Sequence, residues 1–166
     1  MGAAAGNLIT HAGQQVPEYL AQGNAAQFIE PVARRFCIGT GLDVGCGKWP
    51  MYGAIGIDMA LGGDAMALPE HDGEGWPYIF SSHCLEHLAD PVGALMHWRE
   101  RLRTGGVLFL YLPHPDMTYW LPQHCRKHRH SWRPQDMAQI VRDLGFVDVL
   151  HSGRDMAWSF TVVGRR

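Results

Sequence analysis

Residues 42–47, Leu-Asp-Val-Gly-Cys-Gly, with Asp58 further on, are the groups best suited to hold a nucleotide-like ligand. Gly45 and Gly47 flank a sharp turn, where glycine tolerates positive φ and lets backbone N–H groups approach a ligand closely. Ala54-Ile-Gly-Ile57 reads as a second strand that ends on Asp58. A carboxylate there can accept hydrogen bonds from both hydroxyls of a ribose. A dinucleotide fingerprint is excluded: Gly45-Cys-Gly47-Lys-Trp-Pro50 lacks the third glycine, and Asp58 arrives too early. A Walker loop is excluded too, since no Gly-Lys-Ser/Thr closes the turn.

Further along, Ser81 and Ser82 end a fourth strand beside the point where ligands collect in such sheets, and their backbone could take an ammonium group. His83 and His87 follow, with the intrinsic range to accept a proton near neutral pH; either could instead brace its loop. The segment 113–133 has no periodicity and is a candidate substrate lid. Its His124, Cys125, His128 and His130 could in principle ligate zinc. Their spacing matches no standard finger, however, and Arg126, Lys127 and Arg129 lie between them, so no metal site is expected. Tyr119, Trp120 and Trp132 either pack inward or stack on an anionic or aromatic substrate.

These groups need a scaffold of alternating strands and helices. Strands are expected at about 39–44, 54–58, 77–81 and 107–112, with a very short third strand near Asp64. Lys48–Gly53 is too short and too Pro/Gly-broken for a crossover helix. Residues 1–14 are expected to be loose, and 16–36 to form one or two helices with Pro17 near one start, Asn24 as N-cap and Pro31 as a break. Asp90-Pro91 opens a helix with Val92, Leu95, Met96 and Leu102 on one face, closed by Gly105-Gly106. Met137, Ile140, Val141 and Leu144 give another helix, stopped by Gly145. Strands at 146–150 and 158–163 are joined by too few residues for a parallel crossover and should pair antiparallel. The expected fold is α/β: a doubly wound, Rossmann-like, mostly parallel seven-stranded sheet with an antiparallel final strand and a reduced first crossover helix.

In order and spacing, Leu42–Gly47, Ile55–Asp58, Gly63-Asp-Ala-Met-Ala-Leu-Pro69, Ser81-Ser-His-Cys-Leu-Glu-His-Leu88 with Asp90-Pro91, and Gly105–Pro113 resemble the class I S-adenosylmethionine-dependent methyltransferases, in particular the methyltransferase type 11-like group. The resemblance covers roughly residues 40–165. It implies S-adenosyl-L-methionine as cofactor and S-adenosyl-L-homocysteine as product. Cofactor contacts would fall to Asp43, Gly45, Cys46, Gly47, Asp58, Met59, Asp64, Ala65 and Ser81. Asp43 would organise the glycine turn and reach the methionine amino group through water, and Asp64 with the Ala65 N–H would face the adenine edge. His83 lies where the family places residues near the transferring methyl, and Glu86-His87 matches its Leu-Glu-His run.

The 166 residues are enough for one domain with a full core, and a net charge of −2 gives no general attraction to nucleic acid or membrane. No apolar run is long enough to cross a bilayer. Cys37, Cys46, Cys84 and Cys125 show no paired framework, which suits free thiols in a reducing cytoplasm. Ser81-Ser-His-Cys84 stands where amino-methylating DNA enzymes carry Asp/Asn-Pro-Pro-aromatic, so nucleic acid is not the expected substrate. The expected activity is methyl transfer to a small-molecule or carrier-bound acceptor. The alternatives are another adenosyl-cofactor reaction and a non-catalytic cofactor-binding or assembly module. A homodimer or a partner protein is compatible with all three.

Overall fold

In a computed structural model that describes residues 8–11, 13–18 and 23–166, two buried layers form on either face of one sheet. The cause lies in the central strands. β5 (Trp76–Ser82) and β6 (Leu102–Pro113) are apolar at successive positions. Side chains alternate across a pleated sheet, so each strand feeds both layers. Tyr78, Phe80, Val107, Phe109 and Tyr111 pack with α1 (Ala26–Ala33). Ile79, Leu108, Leu110 and Leu112 pack with α2 (Pro91–Arg101) and α3 (Pro134–Asp143).

The other strands are β3 (Leu42–Val44), β4 (Ile55–Ile57), β7 (Val147–His151) and β8 (Ser159–Arg165). The sheet order is β4-β3-β5-β6-β8-β7. Pairings among β4, β3, β5 and β6 are parallel, whereas β8 runs antiparallel to both β6 and β7. This is the expected Rossmann-like class with its reversed final strand, but with six strands in the sheet among the described residues rather than seven. The third strand expected near Asp64 is a turn: the Asp64 carboxylate accepts from Met66 N–H at 2.8 Å, which folds the chain on itself. No helix bridges β3 and β4, as the proline-containing loop requires.

Several local expectations give way. Val16 and Pro17 lie not in a helix but in β2 (Gln14–Pro17), paired antiparallel with β1 (Leu8–His11); residues 1–7, 12 and 19–22 lie outside the described residues. α1 runs through Pro31 rather than breaking there, and its N-cap is Ala25, not Asn24. In α2 the buried face is Ala94, Leu95 and Trp98, while Val92 and Met96 are exposed. Trp98 sets that rotation: its indole N–H donates to the Ala65 carbonyl at 2.6 Å. α2 also ends at Arg101, before Gly105-Gly106, which belong to an irregular start of β6. No helix among the described residues is long and apolar enough to cross a membrane.

Candidate functional site

The carboxyl ends of β3, β4 and β5 converge, as parallel strands oblige them to. Gly45, at φ 80°, opens the turn after β3, and its N–H donates to the Ile57 carbonyl at 2.7 Å. A Cβ at Gly45 would lie 2.2 Å from the Cys84 Cβ, so only glycine allows this approach. Asp58 ties the two loops together. It accepts from Gly47 N–H on Oδ2 and from Ala60 N–H on Oδ1, both at 2.9 Å. Each oxygen keeps a further lone pair for a ligand hydroxyl.

Asp43 is buried to 1% exposure. Its Oδ2 accepts from Met51 N–H at 2.7 Å, while Oδ1 is buried with no hydrogen-bond partner. Burial pushes its pKa up to about 7; the Met51 bond opposes this, and the Glu30 and Asp58 carboxylates add to the rise. Three acidic groups therefore bias this corner toward a cation.

A cleft of about 570 Å3 opens above these strand ends. Of the expected cofactor residues it gathers Gly45, Asp58, Met59, Asp64 and Ala65, together with His83 and His87. Asp43, Cys46, Gly47 and Ser81 are not on its surface. Ser81 Oγ donates to the Val44 carbonyl at 2.8 Å and holds β5 against β3. The far wall is Arg126, Lys127 and Arg129. The cleft's floor is fixed from behind by α2, through Trp98 on Ala65 and by His97 Nε2 accepting from Leu68 N–H.

A second cavity of about 210 Å3 shares His83, His87 and Lys127 with the first, and adds Phe28, Tyr119, Trp120, Cys125 and His128. The 113–133 segment thus contributes to both cavities. It is pinned to the 3-10 turn Leu85–His87: Arg129 N–H donates to the Glu86 carbonyl, and the His130 ring bonds the Leu88 carbonyl at 2.9 Å. His124, Cys125, His128 and His130 do not converge as a group of four; His128 turns instead toward Glu86.

His83 stands on the shared wall with φ 49°, a left-handed conformation uncommon outside glycine. Its Nε2 lies 2.9 Å from Ser159 Oγ, which itself donates to the Ala157 carbonyl, so the imidazole supplies the proton of that bond. Burial, with His128 and His87 nearby, pushes the His83 pKa down to about 3. Sequence reasoning named Glu86 only within a motif run and gave it no role; it is 0% exposed with neither carboxylate oxygen hydrogen-bonded and a pKa raised by burial to about 8. The signal was present: His83, Glu86 and His87 stand at i, i+3 and i+4, one face of a helical turn.

The architecture recurs in solved structures. A Haloferax volcanii protein, solved in complex with the Trm112 methyltransferase activator, matches with a TM-score of 0.69 at 15% identity over 89% of this chain and 91% of that one. An S-adenosylmethionine-dependent methyltransferase from Archaeoglobus fulgidus matches at 0.65 and 16% identity, over 90% of this chain and 100% of that one. Phosphoethanolamine N-methyltransferase 2 of Haemonchus contortus, in complex with S-adenosyl-L-methionine, matches at 0.58 and 18% identity, over 76% of this chain and 38% of that longer one. No curated protein sequence gives a significant match. At these identities the structures speak for the fold; the sequence itself matches the methyltransferase domain model over residues 2–151, and the chain belongs to that family.

Proposed function

We propose that this protein binds S-adenosyl-L-methionine in the larger cleft and methylates a small-molecule or carrier-bound acceptor seated in the smaller one, releasing S-adenosyl-L-homocysteine. The observation that carries this reading is Asp43 Oδ1, a buried acceptor without a partner in a corner of three carboxylates, beside a cleft edged by Asp58 and Gly45. A cationic ligand with a ribose diol fits that donor-poor, acceptor-rich set.

When bound, the cofactor supplies an activated methyl group on a sulfonium. The chain has then mainly to align the acceptor and exclude water. Asp58 would hold the ribose hydroxyls, Asp43 the amino group through water, and Asp64 with Ala65 the adenine edge. Cys46, Gly47, Met59 and Ser81 would shape the rim and the turn beneath it. His83 and His87 would face the acceptor from the shared wall. A pKa near 3 keeps His83 neutral, which suits positioning and hydrogen bonding better than carrying a proton away. Trp120 and Tyr119 give the acceptor cavity an aromatic side, and Arg126, Lys127 and Arg129 suit an anionic group. The 113–133 segment would act as the lid. Four free cysteines agree with a reducing cytoplasm.

One observation favours a second reading, in which the chain works with or for a partner protein. β4 is a three-residue edge strand with Ile55 44% exposed, so among the described residues no strand pairs with the sheet edge beside the larger cleft. A neighbouring fold solved with a methyltransferase activator points the same way. Calorimetric titration with S-adenosyl-L-methionine, S-adenosyl-L-homocysteine and NAD separates the two. Micromolar binding of both adenosyl-sulfur compounds without NAD is the expected result. No binding by the isolated chain sinks the autonomous enzyme and leaves the partner-dependent module.

A further inference from the structure

Beneath the wall shared by the two cavities, Glu86 meets three imidazoles in a way that the adenosyl site does not use. Its Oε1 lies 3.7 Å from His83 Nδ1, 3.8 Å from His87 Nε2 and 3.9 Å from His128 Nε2. These distances are too long for hydrogen bonds, and both carboxylate oxygens lack a partner although the residue is fully buried. The orientation of the rings explains why. His87 Nδ1 lies 2.7 Å from the Lys127 carbonyl, and His128 Nδ1 lies 2.7 Å from the Trp120 carbonyl. A carbonyl only accepts, so each Nδ1 carries a proton, and in the neutral tautomer that this fixes the bare Nε2 lone pair faces Glu86.

His83 gives its Nε2 proton to Ser159 Oγ, so a third bare nitrogen faces the carboxylate, whose oxygens have no hydrogen-bond partner. A metal cation taking the place of the proton that burial favours on Glu86 would satisfy these acceptors together. We propose that Glu86, His87 and His128 form a binding site for a divalent transition-metal ion of the zinc class, with its remaining coordination positions open to the smaller cavity. The three ligand atoms lie within 4.8 Å of one another, and among the described residues no other group of histidine, cysteine and acidic side chains converges so closely. Bonds of about 2.1 Å from one ion require ligand separations of about 3–4 Å, so the present geometry closes with small side-chain rotations. Imidazole nitrogen with a single carboxylate selects zinc, cobalt or ferrous iron over magnesium or calcium. The backbone carbonyls on the two Nδ1 atoms supply the outer hydrogen bonds that fix the tautomer and aim of metal-ligating histidines.

The basic residues of the 113–133 segment argued from sequence against a metal there. In the fold Arg126 and Arg129 line the larger cleft alone, while Lys127 lines both cavities and turns its backbone carbonyl to His87. A role for the ion in holding an oxygen-bearing acceptor rests on the methyl-transfer reading; its binding does not.

The test uses the full chain, stripped with chelator and titrated with Zn2+ against a competing chromophoric chelator, without adenosyl cofactor. Stoichiometric uptake of one ion is expected, unmatched by Mg2+. Co2+ should give the visible absorption of a low-coordinate nitrogen/oxygen site. Glu86→Gln and His87→Ala should each weaken uptake about a hundredfold or more while circular dichroism stays native. His87 is part-exposed, so its variant folds even if changes at the buried pair do not. Absence of stoichiometric Zn2+ uptake by the folded wild type, or uptake unaltered in both variants, overturns the site. Neither outcome touches adenosyl binding, which is titrated separately.

Discussion

Replacing Asp43 by asparagine should make the protein more stable and less able to bind its cofactor, and the two effects have one cause. The carboxyl is 1% exposed, and burial lifts its pKa from 3.8 to about 7. A folded pKa above the unfolded one means that Asp43 contributes fully to stability below pH 3.8 and progressively less as pH rises to about 7. The anion is disfavoured in the fold by about 4 kcal/mol once both states are ionised. Asparagine does not titrate. It keeps an oxygen for the Met51 N–H and places an NH2 where Oδ1 has no partner, a pH-independent penalty of about 1–3 kcal/mol. Urea unfolding of the two proteins should therefore diverge in favour of the variant by about 3 kcal/mol between about pH 5 and about pH 9, at constant m-value. Calorimetry at the upper pH should show S-adenosyl-L-methionine binding weakened by about tenfold or more. Parallel pH profiles for the two proteins would mean that Asp43 is not a strained buried acid. A stabilised variant with unchanged affinity would mean that the strain serves something other than the cofactor.

Other perturbations read separate parts of the site. Wild-type affinity for S-adenosyl-L-methionine should rise with pH until about 7 and then level off, because binding favours ionised Asp43; a flat calorimetric profile counts against that contact. Asp58→Ala should weaken the cofactor by about tenfold or more, and an unchanged dissociation constant would place the ribose elsewhere. Gly45→Ala forces a side chain into left-handed backbone and onto Cys84, which should lower the unfolding free energy by about 2–4 kcal/mol; an unmoved denaturant midpoint contradicts the close approach. Once an acceptor is found, His83→Ala should leave cofactor affinity intact and slow single-turnover transfer, and an equal rate would remove His83 from the transfer site.

The sheet was legible where one physical demand dominates. A run such as Val107–Leu112 is apolar at every position because both faces are covered, and no helix of that length needs such a pattern. The reversal of β8 follows from a linker too short for a crossover. Elements set by a few specific bonds were not legible. Asp64 suits a strand end or a turn equally well until its bond to Met66 N–H decides. The rotation of α2 depends on Trp98 reaching the carbonyl of Ala65, and apolar periodicity favoured Val92 and Met96 on the wrong side. Near the start of the described chain, Val16 is drawn into a hairpin by packing on Met117 and Trp120, a contact between residues far apart in sequence.

The same division runs through the site. Gly45 and Asp58 announce themselves because a tight turn and a strand-end carboxylate are local facts, and both reach the cleft. The surroundings of Glu86 are not local. That the carboxylate is buried without a donor depends on which nitrogen of His87 and His128 bears the proton, and that depends on the carbonyls of Lys127 and Trp120. Those carbonyls belong to a loop that shows no periodicity in sequence and is held by backbone bonds to the Glu86 carbonyl itself. The loop that lines both cavities therefore also sets the tautomers of His87 and His128. Movement of residues 120–128 away from the Leu85–His87 turn would free the His87 Nδ1 proton from the Lys127 carbonyl and carry the His128 Nε2 lone pair off the carboxylate. Seating of this loop on the Leu85–His87 turn and convergence of the three ligands are consequently one structural event, and an ion held by them would tie the loop to that turn.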